Sequence, residues 1–232
     1  MPAWISNYWI VLIISLVLSG GASLYVRLTY NKYSKIQTGH RVTTNQFIDW
    51  MFKHNDITDV SVGHVSGNLT DHYSNAQKII NLSDSTYGQS SIAAIGVAAH
   101  EAGHAVQYKR NYLPVHLRTL MVPVVNIGSY LGLILCIIGA LFTTSASDMM
   151  INIGLTLYAS TFVFTVVTLP VEFNASRRAI ANVKEYQYFT YEEIAGMRKV
   201  LTAAALTYVA SMVVALLNLL RIVSIFGGRR RR

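Results

Sequence analysis

Four stretches of this sequence carry no Asp, Glu, Lys or Arg over a length that reaches across a bilayer: Met1–Val26, Thr119–Ser147, Met149–Val171 and Val200–Leu220. A helix needs roughly 20 apolar residues to cross the hydrocarbon core. A chain of 232 residues has little protein with which to cover four such runs as buried soluble helices. Inside lipid, only helices or closed barrels satisfy their own backbone polar groups. The charged fraction agrees: 13% of the residues are charged and 52% are apolar, where a soluble domain carries about 25% charged residues. Trp4, Tyr8, Trp9 and Tyr25 flank the first run, as interfacial aromatics do. No basic segment precedes that run, so it reads as a retained anchor rather than a cleaved signal peptide.

A net charge of +8 raises the question of nucleic acid, and the distribution of the charge answers it. Lys and Arg are absent from the first 26 residues and from the loop at 143–148, and they gather in 27–119 and 172–199. This alternation is the positive-inside pattern. It puts 27–119 and 172–199 in the cytoplasm, puts the N-terminus and the 143–148 loop outside, and leaves no nucleic-acid partner. Four spans would place Arg221 and the Arg229–Arg232 tail outside as well. Either that tail is translocated against the tendency or the last run turns back before crossing, and a cytoplasmic tail would meet anionic lipid head groups. The single cysteine, Cys136, excludes an intramolecular disulfide and a cysteine-based zinc site, and reads as a packing residue.

Between the first two spans, Thr44–Phe52 reads as a short amphipathic helix capped by Thr43 or Thr44. The Val-, Ile- and Ser-rich texture of 57–83 predicts short strands, with Leu69–Asn75 as a turn between them. The strand before Ser83 offers an edge to an extended peptide. A helix of small residues runs from a Ser91 cap to about Lys109, and Pro114 marks its end.

That helix carries the chemistry. His100-Glu101-Ala102-Gly103-His104 is an H-E-x-x-H motif. Helical residues four apart are offset by about 40°, so both imidazoles can reach one metal ion. Glu101, rotated by about 100°, flanks the metal instead of binding it. From there it can take a proton from a water whose pKa zinc lowers to about 7. Two His and one Glu on an apolar helix would be costly to bury as mere packing residues. Gly103, in a helix interior, points to the close approach of another backbone or to tight helix packing.

A catalytic zinc needs a third protein ligand and an open fourth position. Position 110 is Arg, so the third His of the metzincin pattern is absent, and no later span carries the Asp-Gly of intramembrane site-2 proteases. Glu172 follows directly on the third apolar run, on the same predicted side of the membrane as His104. Glu185, Glu192 and Glu193 lie farther out and read as solvated charges. Glu172 is therefore the expected third ligand; the competing reading is an interfacial charge paired with Arg177 or Arg178. His72 and Arg177 are candidates to stabilise the developing oxyanion. His40, His54, His64 and His116 read as surface or interfacial residues.

HEAGHAVQ at 100–107, preceded by GNLTDHY at 67–73 and followed by LPVEFNASRRA at 169–179, resembles the YugP-type neutral zinc metallopeptidases of bacterial membranes over nearly the whole chain. The resemblance implies an integral membrane peptidase with His100 and His104 as ligands of one zinc ion and Glu101 as base. More distantly, HEAGH with a later E-x-x-A-S is similar to the gluzincin pattern of the Ste24 and HtpX groups, where the third ligand is the Glu of E-x-x-A-D. Ser176 stands where that Asp falls, which leaves open what holds the ligands from behind.

The expected architecture is a mainly α membrane protein with about four transmembrane helices and a small α+β zincin-like domain. Transmembrane helices occupy 1–26, 119–147, 149–171 and 200–226. A cytoplasmic zinc-peptidase domain fills 27–118, a helical segment with the third ligand fills 172–199, and 227–232 is a basic tail. The expected function is zinc-dependent hydrolysis of peptide bonds in membrane or juxtamembrane substrates, at the cytoplasmic side of a bacterial plasma membrane. A non-catalytic zinc-bearing scaffold is the alternative, but such a scaffold has no need of the Glu between the histidines. A transporter would place ionisable groups inside the spans, and the four runs have none.

Overall fold

The computed structural model describes residues 7–142 and 145–227; Trp4 and the Arg229–Arg232 tail lie outside them. Among the described residues, six helices and three strands follow in the order α1 (Tyr8–Tyr33), α2 (Thr44–His54), β1 (Ser61–Val65), β2 (His72–Ser74), β3 (Ile79–Ser83), α3 (Ile92–Lys109), α4 (Leu113–Leu141), α5 (Ser145–Glu185) and α6 (Tyr191–Phe226). Helices α1, α4, α5 and α6 are long and apolar enough to cross a membrane. Their outward faces carry bare aliphatic side chains, among them Leu16, Val17, Leu120, Ile127 and Leu141, as lipid-facing helices do.

The helices do not stop where charges begin. α5 runs on through Pro170 to Glu185, and α6 begins at Tyr191, nine residues before its uncharged run. A helical backbone bonds to itself whether its side chains are apolar or polar, so each helix carries its chain out of the apolar stretch without a break.

The chain divides into two compact units. One comprises residues 1–22, 116–170 and 207–232. Here α4 meets the first part of α5 on small residues. A Cβ built on Gly132 would lie 2.7 Å from Gly154 O, and one built on Gly154 would lie 2.7 Å from Cys136 Sγ. Only glycine allows backbones that close, and Cys136 is buried against this contact.

The other unit comprises residues 23–115 and 171–206. At its centre is α3, whose alanines and Ile95 are buried. Ser91 caps it by accepting from Ala94 N at 3.2 Å. α2 packs Phe47, Ile48 and Met51 into the same core. It opens with a capping box: Thr43 Oγ1 accepts from Gln46 N, and Gln46 Oε1 accepts from Thr43 N. Asn55, closing α2, donates to Met51 O and to Asn182 Oδ1, which ties the end of α2 to α5.

The sheet has the order β1-β3-β2. β1 runs parallel to β3, with Ser61 opposite Ile79, and β2 runs antiparallel to it, with His72 opposite Asn81. Two sequence expectations fail here. Leu69–Asn75 is not simply a turn, because His72–Ser74 forms β2; three residues are too few to show a two-residue period, and pairing with β3 settles the matter. β3 is also the central strand, so the edges belong to β1 and β2. α3 ends at Lys109 ahead of Pro114, as expected, and Pro114 itself falls in the first turn of α4, where its missing N–H is tolerated.

Candidate metal centre

Within the unit formed by 23–115 and 171–206, α3 and α5 come together at Gly103. A Cβ there would sit 2.7 Å from Ala175 O. This close approach sets the HEAGH turn of α3 against the Glu172–Ser176 turn of α5.

Glu172 is 1% exposed and points at both histidines: its Oε2 lies 3.1 Å from His100 Nε2 and 3.6 Å from His104 Nε2. One donor atom from each of the three residues falls within 4.8 Å of the others. The two imidazole rings stand at 85° to one another with centroids 4.8 Å apart.

Each ring is held from behind. His104 Nδ1 lies 3.0 Å from Oε1 of the fully buried Gln107. Gln107 cannot be turned the other way, because its Nε2 donates to Val171 O at 2.7 Å and to Asn174 Oδ1 at 3.1 Å. Asn174 is fixed in turn by Arg178, whose Nε donates to the same Oδ1 at 2.7 Å. Gln107 therefore accepts, His104 Nδ1 carries the proton, and the lone pair of Nε2 faces Glu172. Ser176 Oγ lies 3.1 Å from His100 Nδ1 and gives that ring the same orientation. Ser176, four residues after Glu172, thus occupies the place behind the first histidine.

Two imidazole lone pairs and a buried carboxylate aimed at one point repel each other unless a cation lies among them. The donor set, two nitrogens and one oxygen, suits zinc. Bonds of about 2.0–2.1 Å in a tetrahedron separate their ligands by roughly 3.3–3.4 Å, and the two separations from Glu172 Oε2, 3.1 and 3.6 Å, bracket that value. The residues present fit the metal.

The carboxylates also act on His104. Burial pulls its pKa down, but the hydrogen bond to Glu172 and the charges of Glu101 and Glu172 outweigh burial and raise it above the ordinary histidine value. Glu101, half-buried one residue after His100, lies close enough for its charge to be felt at His104.

This arrangement agrees with what comparison of the sequence finds. The family model described as "Putative neutral zinc metallopeptidase" matches residues 8–227. The chain belongs to that family. A relative in Bacillus subtilis (strain 168), "Putative membrane protease YugP", is 40% identical over 218 residues, covering 94% of this chain and 96% of the relative. No solved structure matches.

The other two expected site residues stand on β2 and α5. His72 is exposed on β2, with Nδ1 3.0 Å from Thr70 O and Nε2 3.1 Å from Asn81 Nδ2. Arg177 is exposed and lines a groove between α5 and α6. The reading of Glu172 as a surface charge paired with Arg177 or Arg178 does not hold, since Glu172 is buried against the histidines and Arg178 is bonded to Asn174. Glu193 is not a solvated charge either. It is buried, and its carboxylate accepts from Gly39 N at 2.6 Å and Thr190 N at 2.8 Å. Gln107, Asn174 and Arg178 were not singled out by motif. Their signal was spacing: Gln107 is three residues after His104 in an apolar helix, and Asn174 and Arg178 are four apart on α5.

Proposed function

We propose that this chain is a multi-pass membrane zinc peptidase of gluzincin type, hydrolysing peptide bonds at the cytoplasmic face of a bacterial plasma membrane. The observation that carries the reading is the convergence of His100, His104 and Glu172 on one point, with Glu101 as the next residue after His100. Zinc held there supplies a Lewis acid and an activated water at neutral pH.

The remaining work falls to the chain. His100, His104 and Glu172 hold the metal, and Ser176 and Gln107 keep the two Nε2 lone pairs aimed inward. Glu101 accepts the proton of the attacking water and passes it to the leaving amine. In the same proposal, His72 and Arg177 are the residues to examine for stabilising the oxyanion. Glu172 belongs to α5 itself and follows directly on the uncharged run 149–171, which favours protein substrates with segments in or beside the bilayer.

The test is the full chain purified in detergent, assayed for zinc content and for cleavage of a peptide library. Wild type should hold one zinc per chain and cleave. Glu101→Gln should keep its zinc and lose cleavage by about 10²–10⁴-fold, the usual worth of a positioned acid–base group. Turnover unchanged by that substitution would defeat the mechanism. Zinc bound with no turnover in either form would point instead to a zinc-bearing scaffold.

A further inference from the structure

The basic groove between α5 and α6 shares Ser176 and Arg177 with the site proposed above, and the rest of its lining has no part in that chemistry. Its volume is about 520 Å³, within the roughly 300–1,000 Å³ of ligand clefts. Arg177, Ile180, Ala181 and Lys184 line one wall at the spacing of a single helical face, and Arg198, Leu201, Thr202 and Ala205 line the other in the same way.

Three cations, Arg177, Lys184 and Arg198, thus share one groove, and none of the described residues that line it is a carboxylate. The nearby acids are engaged elsewhere. Glu172 faces the histidines, Glu185 Oε2 lies 2.6 Å from His54 Nε2, and Glu193 accepts from two backbone amides. Like charges so gathered favour an anion among them.

The groove is also graded. On α5, Phe173 comes first after the uncharged run and Arg177 and Lys184 follow farther out. On α6 the order is reversed: Arg198 comes first, while Leu201 and Ala205 lie within the uncharged run from Val200 to Leu220. The apolar end therefore leads along both helices into the stretches that lipid would cover, and the cationic end leads away from them. A molecule that is anionic at one end and aliphatic at the other matches this sequence of walls.

We infer that this groove binds one anionic phospholipid, its phosphate between Arg177, Lys184 and Arg198 and its acyl chain against Phe173, Leu201 and Ala205. Basic pockets between membrane helices bind anionic head groups, and a Lys or Arg beside an anionic lipid surface contributes about 1 kcal/mol. A soluble acidic peptide would use the cations but has no chain to lay along the apolar end. The inference depends on the membrane placement proposed above and not on peptidase activity.

Native mass spectrometry of the full chain in a neutral detergent, titrated with phosphatidylglycerol or phosphatidylcholine, tests it. Wild type should retain one tightly bound phosphatidylglycerol and no comparable phosphatidylcholine. Each of Arg177→Gln, Lys184→Gln and Arg198→Gln should weaken that binding by about fivefold, and the triple variant by about a hundredfold. A control triple, Lys35→Gln, Lys109→Gln and Lys199→Gln, removes the same charge from exposed positions outside the groove and should bind as wild type does. The Arg229–Arg232 run is common to all of them. The three groove cations are exposed, so the single variants report even where the triple fails to fold. Equal binding by groove and control variants, equal retention of the two lipids, or displacement of phosphatidylglycerol by inorganic phosphate or a soluble acidic peptide at matched concentration would overturn the inference.

Discussion

Gly103→Ala offers a direct test of how α3 and α5 build the metal centre. The added Cβ would lie 2.7 Å from Ala175 O and 3.3 Å from Ala175 C, where ordinary contact begins at 3.4 Å. The obstacle is backbone, so the helices must part by about 0.7 Å at this level, the difference between those contact distances. Ala175 lies between Glu172, which faces both histidines, and Ser176, which faces His100, so the displacement is carried straight to the donor set. Metal sites tolerate about 0.2 Å in their ligand distances, and the expected loss of zinc affinity is about 10–100-fold, as for a displaced supporting group. Fold stability should change much less: overpacking costs about 1–3 kcal/mol, and removing a mid-helix glycine returns about 1 kcal/mol. Gly96→Ala, on the same helix, is the comparison. Its Cβ would meet nothing closer than Met197 Cβ at 3.5 Å, so it should bind zinc as wild type does and gain up to about 1 kcal/mol. Zinc affinity by chelator competition, alongside thermal unfolding, measures both effects. Wild-type zinc affinity in Gly103→Ala would refute the claim that this contact sets the site.

Three further outcomes follow from the groups behind the ligands. Gln107→Leu leaves the buried His104 Nδ1–H without its acceptor; it should cost about 1–3 kcal/mol of stability and about 10–100-fold in zinc affinity, read by the same two assays. Ser176→Ala removes the partner of His100 Nδ1 and should weaken zinc about tenfold, whereas Ser176→Asp, which restores a carboxylate acceptor, should hold zinc at least as tightly as wild type. The raised pKa of His104 sets a pH dependence. In metal-free protein the stabilisation from protonated His104 is fully present below its ordinary value of about 6.5 and is lost as pH rises through the raised one. Zinc competes with that proton, so the thermal stabilisation by added zinc should be larger at about pH 8 than at about pH 6; equal stabilisation at both would show that His104 is not a ligand.

That His100, His104 and Glu172 come together was readable in the sequence, because helical spacing fixes where side chains four apart must lie, and because few carboxylates remained to complete the set. Ser91 and Thr43 were readable as caps for the same local reason. The support behind the ligands was not. Gln107 orients His104 only because Val171 O and Asn174 Oδ1, 64 and 67 residues later, occupy its amide protons. Arg177 and Arg178 look alike in sequence, yet one lines an open groove and the other anchors Asn174.

By itself the sequence determined which stretches lipid can cover and which helix turn presents two imidazoles on one face. Both follow from composition and a 3.6-residue period, quantities that need no knowledge of distant partners. Tertiary structure alone decided that β3 is central and that Ser176 and Gln107 fix the rings. Those depend on which backbone comes within hydrogen-bonding distance of which, and that is set by packing between segments far apart in the chain.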